Sequence, residues 1–338
     1  MSLEVIYVVR HGFRSSWSVD HVTGTYTPYL RSPTGLPTDP ALTSHGIEQA
    51  DELAGHLSRL HPPIDQVYSS PYYRCLQTIS PFVSQNNAAL SRPSPSEDNA
   101  PRPHLNIRVE SGLSEWYGRA PFEHPTSAPF DDLSTLFADL DAGYVSSPAP
   151  SRYGESIPQL YERVASCIQA IIAQCDQEGK KTVLISTHAA VVIALGRVLT
   201  EKIPEDVSVD DFKAFTCGLS TYRRQGVYQD RSIAAATSRP TKTRDQAEKW
   251  ADTQNIMHAT DTPPWSQSLA SDPQEPRGWT CEVNSDCGFL RGGEERGWRF
   301  SGDESFVEVG GEGLPLSTPE SHPNNAVDDR NSSVISKL

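Results

Sequence analysis

The first 225 residues alternate short apolar runs with longer amphipathic segments, and this alternation limits the fold more than any other feature of the chain. Runs typical of buried strands cover 5–9, 67–70, 105–109 and 182–186. Segments with helical periodicity cover 46–60, a stretch from residue 72, 155–177 and 189–199. Because strands alternate with helices, we expect an α/β fold, a three-layer sandwich with a mostly parallel central sheet and helices on both faces.

Local signals refine three of these helices. The first is expected to bury an apolar stripe that includes Ile47, with Thr43 as its N-terminal cap. Pro81 is expected to kink or restart the second helix, since proline removes a backbone hydrogen bond. Gly179 is expected to end the third helix, because glycine readily adopts the left-handed conformation found there.

Composition divides the chain near residue 225. Residues 1–225 form the predicted domain, with an exposed proline- and serine-rich loop at 91–103. Residues 226–338 hold 18 acidic and 11 basic side chains and weak apolar patterning, so we expect an acidic, partly disordered C-terminal extension. Aromatic and apolar residues at 279–309 make that stretch a candidate strand-forming or partner-binding segment within the extension.

Charge and hydropathy argue against several classes of protein. A net charge of −14 does not favour direct binding of nucleic acid, which needs clustered cations. The most apolar segment, 183–199, is interrupted by polar residues, and we expect no membrane association. The N-terminus lacks a cationic start and a long apolar run, and only six cysteines are present. We therefore expect a cytoplasmic or nuclear protein that is not secreted.

Charged and imidazole side chains follow four of the predicted strands. Carboxyl ends of parallel strands meet at one edge of a sheet, where ligands of this fold class bind. The side chains expected there are Arg10, His11, Arg74, Glu115 and His188. Arg14 is expected one turn further along the chain.

Clustered cations repel one another unless an anion lies between them, so this set predicts an anionic ligand. Two histidines, several arginines and one glutamate suit phosphoryl transfer. A neutral imidazole can attack phosphorus, guanidinium groups bind phosphate oxygens, and a carboxylic acid can protonate the leaving oxygen. The spacing is not that of metal ligands, so we expect neither a metal nor another cofactor.

Five sequence blocks resemble the histidine phosphatase superfamily, also called the phosphoglycerate mutase-like family. They are VVRHG at 8–12, LTSHG at 42–46, SSPYYRCLQT at 69–78, LSEW at 113–116 and STH at 186–188. The resemblance covers about residues 4–225. It implies that His11 is the phosphorylated nucleophile, that Arg10, Arg74 and His188 bind phosphate, and that Glu115 donates the proton.

Departures from the family pattern narrow the expected branch. Arg14 matches the phytase branch, but that branch has Asp after its second histidine, where this chain has Ala189. The proton donor is therefore expected to be Glu115. Phe13 and the long segment between Gly12 and Leu42 do not match glycolytic mutases, so mutase activity is not expected. Two groups share the Glu-Trp arrangement: the ubiquitin-associated, SH3-containing phosphatases, and the phosphatase-like subunit of the fungal RNA polymerase III transcription factor complex TFIIIC.

Two functions remain open at this point. The favoured one is a metal-independent phosphomonoesterase acting on a phosphorylated small molecule or a phosphoprotein. The alternative is a phosphatase-fold scaffold whose C-terminal extension binds a protein partner, as in a transcription factor complex. Aromatic residues of the 14–41 insertion, Trp17, Tyr26 and Tyr29, are expected to pack against the domain rather than to stack on a substrate ring.

Overall fold

The computed structural model describes residues 2–90, 103–225 and 278–301. All of them belong to one compact unit, Met1–Phe306; a second unit, Val307–Leu338, lies outside the described residues. The expected loop at 91–103 falls almost wholly outside them as well, and so does most of the predicted extension, at 226–277 and 302–338.

Eight strands and five α-helices make up the described part of the chain. The strands are β1 Val5–Arg10, β2 Trp17–Asp20, β3 Thr25–Pro28, β4 Gln66–Ser69, β5 Ile107–Val109, β6 Thr182–Thr187, β7 Leu219–Arg224 and β8 Trp279–Asp286. The helices are α1 Ser44–Leu57, α2 Tyr73–Leu90, α3 Phe130–Leu136, α4 Ile157–Glu178 and α5 Ala189–Leu199, and a 3₁₀ turn covers Ser111–Leu113.

Six strands form the central sheet, in the order β5-β4-β6-β1-β7-β8. The first four are parallel, whereas β7 runs antiparallel to β1 and β8 antiparallel to β7. The expected mostly parallel sheet is confirmed, with an antiparallel edge added to it. The remaining strands, β2 and β3, pair as a separate hairpin inside the 14–41 insertion.

Helices cover both faces of the sheet, which confirms the three-layer sandwich. Alternate residues of β1 point to opposite faces: Val5, Tyr7 and Val9 pack with α1 and α2, and Ile6 and Val8 pack with α4 and α5. Because both faces of β1 are buried, the strand is a continuous apolar run in the sequence rather than an alternating one.

The helices follow the expected capping and termination signals, but two other expectations about them differ from the structure. The Thr43 side chain caps α1, and Gly179, in the left-handed conformation, ends α4. Ile47 is 44 % exposed, so its expected place on the buried stripe is wrong. Helix α2 continues through Pro81, because Ile79 and Phe82 on either side of the proline are buried against the sheet.

The C-terminal part of the chain departs from the expected boundary at residue 225. Residues 278–301 belong to the same compact unit as the domain, since β8 pairs with the outer edge of β7. Trp279 and Phe300 are buried in the core that α4 and α5 share. An exposed strand edge leaves backbone groups unpaired, and β8 satisfies those of β7.

None of the helices in the described ranges combines the length and apolar character that a membrane-spanning helix requires.

Gly46 and Gly55 of α1 provide a paired stability test. A Cβ atom at Gly46 would lie 2.0 Å from the backbone oxygen of Phe13, whereas at Gly55 the nearest atom would be a flexible arginine nitrogen at 3.8 Å. We expect Gly46→Ala to lower the free energy of unfolding by about 1–3 kcal/mol, because the backbone must move. Gly55→Ala should raise it by about 0.5–1 kcal/mol, since alanine favours the helix. Urea denaturation measures both, and equal stability of the two variants would contradict the close approach.

Candidate active site

His11 and His188 lie side by side because of the strand register. Arg10 pairs with Thr187 at the carboxyl ends of the parallel strands β1 and β6, so the next residue of each strand is a histidine. Both rings are buried, with their centroids 5.5 Å apart in an edge-to-face arrangement. The expected convergence of these two histidines at one edge of the sheet is therefore what the structure shows.

The tautomer of His11 follows from its hydrogen bond. Nδ1 lies 2.8 Å from the carbonyl oxygen of Gly12, which can only accept, so Nδ1 carries the proton and donates. Nε2 of the neutral ring then keeps its lone pair. Burial, followed by the charges of Arg74, Arg10 and Arg14, lowers the pKa of His11 well below 6.5. A neutral imidazole with a free Nε2 is the form that can act as a nucleophile.

Gly12 is needed because the loop after β1 is tightly enclosed. Its N–H donates to Thr78 Oγ1 at 3.0 Å. A Cβ at this position would lie 3.0 Å from the backbone oxygen of Gly46 and 3.2 Å from Sγ of Cys217. A larger residue would therefore move the backbone that holds His11.

His188 is bonded on both sides of its ring. Nδ1 lies 3.2 Å from Oε2 of Glu115, and Nε2 lies 2.8 Å from the hydroxyl of Ser70 at the end of β4. Nδ1 also lies 3.2 Å from Nη2 of Arg74, which can only donate, so this nitrogen lies between an acceptor and a donor. Burial lowers the pKa of His188 to about 4, although Glu115 opposes this effect. The ring is therefore neutral at pH 7.

Arg74 is fully buried and held by the 14–41 insertion. Nη1 donates to the carbonyl of Thr38 at 2.9 Å and lies 3.6 Å from Oδ1 of Asp39, while Nη2 donates to Oε2 of Glu115 at 3.0 Å. Burial raises the pKa of Asp39 to about 6, against the lowering influence of Arg74. Neither Thr38 nor Asp39 was expected at the site. No local pattern marks a residue such as Thr38, which supports an arginine 36 positions away.

Arg10 and Arg14 complete the cationic part of the site. Arg10 Nη1 donates to the carbonyls of Ala214, at 2.6 Å, and Arg296. Arg14 Nη1 donates to the carbonyl of Ser15 at 2.9 Å. Burial lowers the pKa of Arg10 to about 10 and that of Arg14 to about 9, so both remain cations at pH 7.

Three guanidinium nitrogens in the site have no hydrogen-bond partner among the described residues. They are the buried Nε atoms of Arg10, Arg14 and Arg74. A buried N–H without an acceptor is costly, and three neighbouring cations repel one another; an anion in the site would offset that repulsion. The arrangement therefore suits a tetrahedral oxyanion such as phosphate.

Glu115 lies beside this cationic group, with 15 % of its side chain exposed. Burial alone would raise the pKa of Glu115. His188, Arg74 and Arg14 together outweigh that effect and hold the pKa below the usual range of a glutamate. Glu115 is thus ionised beside the arginines, and its protonation depends on how far their charge is balanced.

A cation is a poorer fit to the same residues. Single ligand atoms of His11, Glu115 and His188 lie within 4.8 Å of one another, which is close enough to hold a metal ion. The guanidinium groups of Arg10 and Arg74 are neighbours of this set, and they would repel a metal ion while attracting an anion.

The aromatic residues of the insertion differ in their surroundings. The Trp17 ring centroid lies 5.6 Å from Cζ of Arg74, and the Tyr26 hydroxyl lies 2.6 Å from Nδ1 of His124. Both therefore contact the rest of the domain, as expected. Tyr29, by contrast, is 68 % exposed.

Comparison with known proteins identifies the family. Residues 6–229 match the family model of the histidine phosphatase superfamily, branch 1. The chain belongs to this superfamily. The match agrees with the expectation drawn from the five sequence blocks.

Two curated relatives show how far the similarity extends. The transcription factor tau 55 kDa subunit of Saccharomyces cerevisiae is 27 % identical over 309 residues, which cover 89 % of this chain and 59 % of that protein. The ecdysteroid-phosphate phosphatase of Drosophila melanogaster is 28 % identical over 229 residues, covering 60 % of this chain and 28 % of that protein. This chain thus spans less than two thirds of either relative.

Among solved structures, the chain is similar to the ecdysone phosphate phosphatase from Bombix mori in complex with tungstate. The two are 20 % identical, and the match covers 70 % of this chain and 98 % of that one with a TM-score of 0.48.

The hydrogen bond to Gly12 and the lowered pKa of His11 make a testable prediction. We expect the His11 ring to be neutral, with its proton on Nδ1, at pH 6 and above, because the arginines disfavour a further positive charge. Nitrogen-15 NMR of histidine-labelled protein distinguishes the two tautomers and the imidazolium ion, and the His11→Gln variant assigns the signal. An imidazolium signal from His11 at pH 6.5 would contradict the electrostatics described above.

Proposed function

We propose that this chain is a metal-independent phosphomonoesterase that forms a phosphohistidine intermediate on His11. The observation that carries the proposal is a neutral His11 ring with an unprotonated Nε2, beside the charges of Arg74, Arg10 and Arg14, whose buried Nε atoms have no partner among the described residues. A nucleophile and a set of oxyanion-binding groups at one point are what phosphoryl transfer requires.

In the first step, Arg10, Arg14 and Arg74 bind the non-bridging oxygens of the substrate phosphate. Nε2 of His11 attacks phosphorus in line, and the bond to the ester oxygen breaks. The leaving oxygen takes a proton from Glu115. His188 is the fourth phosphate-binding group, and its Nδ1, 3.2 Å from both Glu115 Oε2 and Arg74 Nη2, holds these two side chains in place.

In the second step, water attacks the phosphohistidine, and the Glu115 carboxylate accepts a proton from it. Inorganic phosphate and neutral His11 are then restored. The cycle needs Glu115 protonated when the substrate is bound. A phosphate dianion balances the arginine charges that lower the pKa of Glu115, so substrate binding raises that pKa toward the protonated form.

The proposed substrate class is broad: a phosphorylated small molecule or a phosphoprotein. The name of one relative, ecdysteroid-phosphate phosphatase, supports hydrolysis of a phosphomonoester. Hydrolysis is favoured over mutase chemistry because Phe13 and the 14–41 insertion depart from the pattern of the mutases. The insertion also contributes Thr38 and Asp39 to the support of Arg74.

The leaving group distinguishes the roles of His11 and Glu115. In the presence of EDTA, we expect the wild-type chain to hydrolyse p-nitrophenyl phosphate and an alkyl phosphate, and His11→Gln to hydrolyse neither. Glu115→Gln should lose about 10²–10⁴-fold in kcat for the alkyl ester, whose leaving oxygen needs a proton. It should lose much less for p-nitrophenyl phosphate, because nitrophenolate leaves without one. Steady-state kinetics at pH 6–7 measures these ratios.

His104→Gln, which changes an exposed histidine, is the matched control and should retain wild-type kinetics. No wild-type turnover between pH 4 and 8 would refute the proposed hydrolase. Equal losses of Glu115→Gln on both esters would refute Glu115 as the proton donor.

A second candidate function, an interaction subunit of a larger assembly, is favoured by one comparison. The match to the transcription factor tau 55 kDa subunit covers 89 % of this chain and so continues past residue 229, where the family match ends. The partner would be a protein bound through residues 302–338, because residues 279–301 of the candidate segment at 279–309 pack within the domain.

Truncation separates this candidate from the hydrolase. Because β8 belongs to the sheet, the deletion must spare it, and removal of residues 302–338 is the suitable variant. We expect the tagged full chain to co-purify from its native cells with a stoichiometric protein partner and the truncated chain to lose it. Isolation of the full chain as a monomer without a partner would refute this function.

A further inference from the structure

Arg10 is held by two backbone carbonyls, one from the segment before β7 and one from the segment after β8. Its Nη1 donates to the oxygens of Ala214 and Arg296. An unrestrained arginine side chain loses about 2 kcal/mol of rotamer entropy when it is fixed in place. The two carbonyls fix the guanidinium group before an anion binds.

The Arg296 carbonyl owes its position to the preceding residue, Glu295. The backbone oxygen of Glu295 accepts from the N–H of Thr216 at 3.1 Å. Its carboxylate Oε2 lies 2.7 Å from Nε2 of His45 and accepts from Nε2 of Gln49 at 3.1 Å. Glu295 is therefore fixed by its main chain and its side chain together.

Gln49 connects Glu295 to the loop that carries His11. Its Oε1 accepts from the N–H of Phe13 at 2.9 Å, while its Nε2 donates to Glu295. Gln49 is almost fully buried, while the Glu295 side chain is 27 % exposed. One hydrogen-bond path thus runs from the Arg-His-Gly loop through α1 to the segment after β8.

Two further contacts keep this segment against the site. Arg296 adopts a positive φ of 46°, and its guanidinium lies 3.9 Å from the ring centroid of Phe13. A Cβ at Gly297 would lie 2.8 Å from the Phe215 ring, so the backbone approaches too closely for a larger residue. A non-glycine residue in the left-handed region is strained by about 1–3 kcal/mol and persists where its surroundings impose it.

We propose that Glu295 is a positioning residue of the phosphate pocket, which holds the Arg296 carbonyl against Arg10 and so makes the segment 291–300 part of the site. This segment lies outside residues 6–229, the part of the chain that the family match covers. The expected change in KM rests on the proposed function, whereas the expected change in phosphate affinity does not require turnover.

The test uses the full chain and inorganic phosphate as the probe. Without the Glu295 carboxylate, the Arg296 carbonyl is less firmly placed, and Arg10 must be ordered when the anion binds. We expect Glu295→Ala to weaken phosphate binding, measured by isothermal titration calorimetry, by about three- to tenfold, the value of one hydrogen bond. KM for p-nitrophenyl phosphate should rise by a similar factor with little change in kcat, because Arg10 binds the phosphate before and during the reaction.

Glu294→Ala is the matched control, since Glu294 is an exposed neighbour with no ion pair among the described residues. It should bind phosphate like the wild type. Glu295→Gln keeps one acceptor oxygen and should recover at least half of the lost affinity. If Glu295→Ala does not fold, His45→Ala removes the more exposed half of the same contact and should weaken phosphate binding at least twofold.

Wild-type phosphate affinity in Glu295→Ala, or an equal loss in Glu294→Ala, would overturn the inference. Phosphate binding that weakens as expected in a chain without turnover would refute the proposed hydrolase while leaving the positioning role intact. A wild-type chain that binds no phosphate would refute both.

Discussion

Mutual repulsion among buried cations is the constraint on which the rest of this site depends. The charges of Arg10, Arg14 and Arg74 act on one imidazole, and each guanidinium has a buried Nε–H without an acceptor among the described residues. The fold tolerates this because Glu115 and backbone carbonyls accept from other nitrogens of the same groups. Burial and then the same repulsion lower the pKa of His11 and keep it neutral, since a fourth positive charge would lie among the other three. An anion with several acceptor oxygens would offset the repulsion among the three arginines.

The sheet provides the precision that such a cluster needs. Arg10 and Thr187 are paired in register, so the two histidines that follow them lie next to each other without further adjustment. Ser69 and Ser186 are paired in the same way, which brings the hydroxyl of Ser70 to His188. Rigid strands covered on both faces fix the reacting groups, and the loops add the residues that hold the arginines.

The sequence predicts most of the sheet and the site, because both depend on local signals. Apolar runs mark the parallel strands, and the residues after them are those that converge. Asp39 and Glu295 could not be found in this way. They act across 34 and 250 residues, on Tyr73 and His45, and nothing in their own neighbourhood indicates those contacts. For the same reason the domain boundary expected at residue 225 missed β8, whose pairing with β7 is a tertiary contact that composition does not reveal.

The central claim is that Nε2 of His11 attacks phosphorus. The most direct measurement is rapid quenching of the wild-type chain during turnover, followed by mass spectrometry and NMR of the phosphopeptide under alkaline conditions, which preserve phosphohistidine. The account predicts phosphate on His11, attached at Nε2 because Nδ1 is bonded to the Gly12 carbonyl. Phosphate on Nδ1, on another residue, or turnover without any phosphoenzyme would contradict it.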